Sequence, residues 1–287
     1  MTAAAATVGM PRATTAGRTP PVARLALATL VAIAVAALAA PFLAPGAGEA
    51  LDLAARRAPP SLAHWFGTDE LGRDVMARVL VGARISLAIA LLSAGLTVSL
   101  GSAIGAAAGF VGGWVDATLM RVTDAMLAIP RLPFLMIVAA ILQPSIPLLI
   151  VLVGGVGWME TARVVRAEVL SLATRGFVEA ARATGVPAPR VLARHVLPNV
   201  TGTVAVSATL AVGRGILMES ALSFFGVGVQ PPAASWGTML YQAQTTLSSE
   251  PWLAIFPGMA IFVTVLCVNV LGEQVSGADA GGIGGGQ

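Results

Sequence analysis

Residues 178–199 read VEAARATGVPAPRVLARHVLPN. The outline is that of a helix-turn-helix, with a short alanine-rich helix, a turn at Gly185, and a second helix carrying Arg190 and Arg194. Ala180, Ala181 and Ala183 give the first helix little side-chain bulk, and Glu179 near its start suits the positive end of a helix. Gly185 can take the left-handed conformation that ends a helix. Pro187 prevents simple continuation, and Pro189 is well placed in the first turn of the next helix. Leu197 and Pro198 then lead into an apolar run. Such a unit docks either into a DNA groove or onto a protein, and its surroundings must decide.

Those surroundings are apolar. The 287 residues are 56% hydrophobic and 11% charged, where a soluble domain carries about a quarter charged residues. A chain this apolar cannot cover its outside with polar groups, and its natural solvent is a bilayer. The formal charge of +3 is too small to make nucleic acid the main partner. One cysteine, Cys267, excludes a disulfide within the chain, and two histidines, His64 and His195, leave little material for a metal centre.

Residues 1–23 are rich in Ala, Thr and Pro and are expected to be a disordered tail. Apolar runs follow near 25–44, 85–111, 125–142, 146–160, 200–218 and 252–272, giving six candidate spans. The first has a cleaved signal peptide as its rival; its length and the spans after it favour an uncleaved anchor. In the fourth, Glu160, Arg163 and Arg166 arrive early, so that helix is expected to run on past the membrane. Arginine placement puts the N-terminus in the cytoplasm. The segment 161–199 then lies inside with six arginines, and 219–251, without arginine or lysine, lies outside. The segment 45–84 disagrees, since it would lie outside with Arg56, Arg57, Arg73, Arg78 and Arg84.

Within that segment, Thr68 is a candidate helix cap, with Asp69 and Glu70 in the first turn and Asp74 paired to Arg78 four residues on. Leu71, Val75, Met76, Val79 and Leu80 share a face, which reads as an interfacial amphipathic helix or a connector that is merely amphipathic. Gly101, Gly105, Gly109 and Gly113 form a stripe that lets two helices approach closely, as packing in a bundle or between subunits. Arg214 and Glu219 lie in or near the fifth run, about 140° apart on a helix, so they cannot easily pair with each other. They border a solute pathway or form an interfacial pair near the headgroups.

No catalytic set stands out. GxxxxGK[ST], HExxH and GxSxG are all absent. A DNA reader between two spans would be tethered within a few residues of the membrane at both ends. A protein partner on the cytoplasmic face fits better.

EAARATG followed by HVLPN resembles the EAA loop of permease subunits of bacterial ATP-binding-cassette importers. FGTDELGRDVMARVLVGARISL, ALSFFGVGVQPPAASWGTML and PWLAIFPGMAIFVTVLCVNVLGE resemble the C-type subunit of the dipeptide, oligopeptide and nickel group. The matches reach from about 62 to 273. The resemblance implies an all-α membrane protein with the type I importer fold, six transmembrane helices and a cytoplasmic coupling helix. A permease domain over 85–273 would follow a first span, extracytoplasmic loop and interfacial helix over 24–84, with an EAA loop at about 167–199. Implied partners are a second permease, usually in a heterodimer, two ATPase subunits, an extracytoplasmic solute-binding protein and the bilayer, with no nucleic acid. No cofactor or metal is implied. Glu179, Ala180, Ala181, Thr184, Gly185, Leu197 and Pro198 would couple to the ATPase. Gly101, Gly105 and Gly109 would pack helices, and Arg214 and Glu219 are the candidates for the solute pathway. The solute would be a di- or oligopeptide or a related small molecule, with nickel or another non-peptide solute as the alternative. An ATP-independent transporter or a membrane-tethered helix-turn-helix regulator ranks behind both. Two departures stand out: the Gly-rich end 274–287, expected to be disordered, and Arg214, where a small or apolar residue is expected.

Overall fold

The computed structural model describes residues 20–43, 46, 48 and 50–282. The expected tail therefore lies outside the described residues as far as residue 19. The long elements are α1 (Pro21–Leu43), α2 (Val75–Val111), α3 (Gly113–Leu127), α4 (Arg131–Leu142) and α5 (Ile146–Ala173). The short α6 (Gly176–Ala183) and α7 (Ala188–Val191) lead to α8 (Leu197–Phe224), α9 (Trp236–Ala243) and α10 (Trp252–Gly282). No strand occurs among the described residues. Five helical segments are long and apolar enough to cross a membrane, or six if α3 and α4 count as one span bent by 81°.

That bend corrects the expected third span. The run 125–142 reads as one span, but α3 begins well ahead of it at Gly113 and the helix breaks before Arg131. Pro130 has no N–H to continue the ladder, and its ring disfavours helical backbone at Ile129. The fourth run does continue, since α5 extends to Ala173.

α2 and α5 form the spine. A Cβ on Gly101 would come within 2.6 Å of Thr161 Cβ and 2.7 Å of the Trp158 carbonyl oxygen. One on Gly105 would strike the Ala162 carbonyl, and one on Gly109 would lie 2.9 Å from that of Arg166. A backbone carbonyl, which cannot step aside, stands in the way at each of the three, so the stripe is a helix contact within this chain. Gly154 of α5 answers from the other side, 2.8 Å (as a built Cβ) from the Ser93 carbonyl. Gly113 is not part of the stripe: α2 stops at Val111, and Gly112 and Gly113 both have positive φ.

α8 packs beside this spine, with α10 against α8 and α1 against α10 and α2. The bundle thus has two ends, one carrying α6 and α7 and the other carrying α9 and the 50–74 segment. At the second end the expected amphipathic helix is corrected. Its residues from Val75 onward are the first turns of α2, and those before it form a folded loop. Gly72 has φ +75°, and a Cβ there would collide with the Asp52 carbonyl. Asp74, not Thr68, caps α2, accepting from Ala77 N–H at 2.9 Å. Thr68 sits in the loop, its hydroxyl donating to the Ala55 carbonyl and accepting from Ala58 N–H at 2.8 Å.

Arg78 turns away from Asp74 as well. It pairs with Asp69, which also accepts from Arg73 Nε at 2.7 Å and from the Leu71 and Arg73 amides at 2.9 and 3.0 Å. Arg78 then donates to Gln242 of α9 at 3.0 Å. Arg57 pairs with Glu250 at 3.2 Å, and Phe66 stacks on Phe256 at 3.9 Å. Four of the five arginines that disagreed with the orientation rule are thereby occupied, Arg56 through the Glu70 carbonyl. At the C-terminus α10 continues to Gly282, so the tail expected from 274 is helical that far; 283–287 lie outside the described residues.

Candidate functional site

At the first end of the bundle, α6 closes with a fully formed Schellman cap. Gly185 has φ +81°; its N–H donates to the Arg182 carbonyl at 3.0 Å, and Val186 N–H to that of Ala181 at 3.2 Å. Thr184 adds its hydroxyl to the Ala180 and Ala181 carbonyls at 3.2 and 3.0 Å. The helix is held from below by Val178, which is wholly buried among Val165, Val169 and Leu172 of α5, Val191 of α7 and Val196 and Val200 beyond it. The Arg182 guanidinium lies over the Phe110 ring at 5.2 Å, tying α6 to the end of α2. α6 is therefore joined to α2, α5 and α8 together.

The expected alanine face divides. Ala180 is exposed with Glu179, Thr184 and Gly185, while Ala181 turns inward onto the valine cluster. The second helix of the supposed helix-turn-helix is also not a free unit. α7 has four residues and passes through a π-helical stretch, Leu192–Val196, directly into α8. Pro198 gives the Arg194 carbonyl no N–H partner, and the ladder widens just before it. Leu197 and Pro198 are exposed on the first turn of α8.

Arg214 and Glu219 do not pair, as their spacing predicts, and they have different surroundings. Glu219 is wholly buried. Its two carboxyl oxygens accept from Ser86 Oγ of α2 at 3.0 Å and from Ser223 Oγ at 2.8 Å. Ser86 Oγ in turn accepts from Trp236 N–H at 3.1 Å, and Ser223 Oγ from Val229 N–H at 3.1 Å. Glu219 thus fastens the 225–236 loop and α9 to two spans. Enclosed in this way, its carboxylate is turned into the chain, between α2 and the 225–236 loop.

Arg214 meets Glu160 of α5, whose other oxygen accepts from Arg131 Nη2 at 2.8 Å. Beyond Glu160, Arg163 pairs with Asp124 and Arg166 with Asp116. α5 therefore carries a ladder of ion pairs that holds the bent α3–α4 unit along its length. Sequence reasoning passed over Glu160 and Arg131 as pathway candidates. The signal was present, because each is an ionisable residue inside an apolar run.

Residues 101–276 match the family described as "Binding-protein-dependent transport system inner membrane component". The oligopeptide transport system permease protein OppC of Escherichia coli strain K12 is 41% identical over 254 residues, covering 88% of this chain and 84% of that one. The chain belongs to this family. A glutathione transport system permease protein, GsiD of Shigella flexneri serotype 5b, is 43% identical over 219 residues, 76% of this chain and 72% of its own. A Brucella suis biovar 1 chain bearing the name of a peptide permease is 40% identical over 254 residues, with 88% and 84% covered. This inner membrane component has the all-α fold of a type I importer membrane domain, and it is a multi-pass membrane protein of an ATP-binding-cassette transport system.

Proposed function

We propose that the chain forms one half of the membrane pathway of an importer for di- or oligopeptides or related small solutes. Two ATPase subunits on the α6 side drive it, and an extracytoplasmic binding protein delivers solute on the α9 side. The second half is another permease chain, so the unit is a heterodimer, and the N-terminus is cytoplasmic. ATP hydrolysis belongs to the ATPase subunits. The peptide class rests on the names of the relatives. The mechanical reading rests on one observation, that exposed α6 is anchored by Val178 at the meeting of α2, α5 and α8.

In this reading Glu179, Ala180, Thr184 and Gly185 meet a cleft on the ATPase. Ala181 holds α6 to the bundle, and Leu197 and Pro198 pass the displacement to α8. The Schellman cap fixes the direction in which the chain leaves α6, so a pull moves the spans instead of unwinding the loop. Arg175, Arg190 and Arg194 make no ion pair among the described residues, which leaves them for an acidic partner or anionic headgroups.

The test uses the complete transporter in proteoliposomes. Gly185→Ile places a β-branched residue at a positive φ that suits glycine. Peptide uptake should fall at least tenfold while the complex still assembles. Uptake at the original rate would refute the coupling role of this loop.

A further inference from the structure

The Arg131–Glu160–Arg214 cluster lies at membrane depth and faces outward from the chain's own bundle. At 1.5 Å per residue, Glu160 is about 21 Å along α5 from Ile146, and Arg214 is about 15 Å along α8 from Phe224. Counted from those ends, Arg214 falls about half-way and Glu160 about two-thirds of the way through a hydrocarbon layer about 30 Å thick. Yet the Arg214 and Glu160 side chains are 43% and 40% exposed. Ionised groups at that depth face a bundle interior or water, not acyl chains.

Two clefts meet at this point. One, toward the α9 end, is lined by Ser93, Thr97, Val153, Arg131 and Arg214. The other, toward the α6 end, is lined by Thr161, Thr203, Ser207, Glu160 and Arg214. Arg214 lines both. The first cleft is mostly apolar, and its Ser93 and Thr97 hydroxyls donate to the Ala90 and Gly154 carbonyls, so the arginines are its charged groups. Within the cluster two guanidiniums share one carboxylate, which leaves one positive charge over. Each oxygen of Glu160 is held by a different arginine.

We propose that Arg131, Glu160 and Arg214 form a transit site for the carboxylate of the passing solute. An incoming carboxylate neutralises the surplus charge and displaces Glu160 from Arg214, whose planar fork suits a carboxylate. When the solute moves on, Glu160 returns and reseals the junction between the clefts. Glu160 is therefore a built-in competitor, which keeps Arg214 from holding the solute too long. For a peptide the group recognised is the C-terminal carboxylate, an assignment that rests on the peptide reading above.

The complete transporter in proteoliposomes is assayed for ATP-driven uptake of one peptide in two forms, with a free and with an amidated C-terminus. The readout is the ratio of the two rates. Any preference of the binding protein is common to all variants and cancels in the comparison. Arg214→Gln should lower the free-to-amidated ratio about tenfold, the scale of one charge-assisted hydrogen bond. Glu160→Gln should raise it, because it removes the competitor. A ratio unchanged by Arg214→Gln overturns the site while leaving the peptide reading intact. Should Arg214→Gln abolish uptake altogether, Glu160→Gln decides, and an unchanged or lowered ratio there overturns the site. Uptake of neither form by the unsubstituted transporter overturns the peptide reading, and the carboxylate site with it.

Discussion

The two ends of the bundle treat arginine in opposite ways. At the α9 end, Arg57, Arg73 and Arg78 are consumed by Glu250 and Asp69, and Arg78 is nearly inaccessible. At the α6 end, Arg175, Arg190 and Arg194 are exposed and without ion pairs among the described residues. A count of arginines per loop makes the ends look more alike than they are. A charge closed off by a neighbour fixes a fold, whereas an open charge is available to a partner. The α9 end is thus closed on itself, and in the proposed reading the open α6 end is a docking surface. Mutations should separate the two, with stability lost at one end and coupling at the other.

The largest loss of stability is expected for Asp69→Asn. It removes the carboxylate that neutralises two arginines, one of them buried, and breaking a buried pair costs about 3–5 kcal/mol. Thermal unfolding of the purified chain in detergent should show it. The same residue predicts a pH dependence. Burial pushes the Asp69 carboxyl up, but Arg78, the Leu71 and Arg73 amides and the Arg73 side chain outweigh it and hold it below its ordinary value. A carboxyl lower in the folded than in the unfolded chain stabilises above its unfolded value, about 3.9. That contribution disappears as pH falls through the folded value. Unfolding temperature should therefore drop below about pH 4, and part of that acid-side fall should be missing in Asp69→Asn. An identical acid limb in both proteins would contradict the electrostatic closure of the α9 end.

Next in size is Glu219→Gln, which weakens the acceptor shared by Ser86 and Ser223. A loss of about 1–3 kcal/mol is expected, the scale of a buried hydrogen bond deprived of one partner. Limited proteolysis should report it first within 225–236, the loop those serines hold. Gly185→Ile should cost about 1–2 kcal/mol at most, from side-chain crowding at a left-handed residue, while uptake collapses. A large fall in unfolding temperature with uptake preserved would reverse the assignment of the two ends. The smallest effect belongs to Arg190→Gln, an exposed surface change expected within about 0.5 kcal/mol. It should instead weaken ATPase docking in a pull-down at low salt, with the difference fading as salt screens it.

Much of this protein was legible along the chain. Apolar length marked the spans, the glycine stripe marked a helix contact, and Gly185 marked the end of α6. The π-helical passage into α8 was not legible, nor was α9, whose capping box of Ser235 and Thr238 lies in a stretch that reads as loop. The amphipathic reading before α2 failed because a local pattern was trusted where a distant one governs. Gly72 must approach the Asp52 carbonyl, and Arg78 finds Asp69 and Gln242 in place of Asp74.

The sequence by itself determined which segments are apolar enough to cross a membrane and where the α6 turn ends, because transfer of apolar side chains and left-handed backbone are properties of a residue and its neighbours. Only the tertiary structure decided which charges meet. Arg131 reaches Glu160 across 29 residues, Arg163 reaches Asp124 across 39, and Arg166 reaches Asp116 across 50. Helical spacing links residues three or four apart and is silent at those distances. The close approach of α2 to α5 and the 81° bend between α3 and α4 bring these partners together.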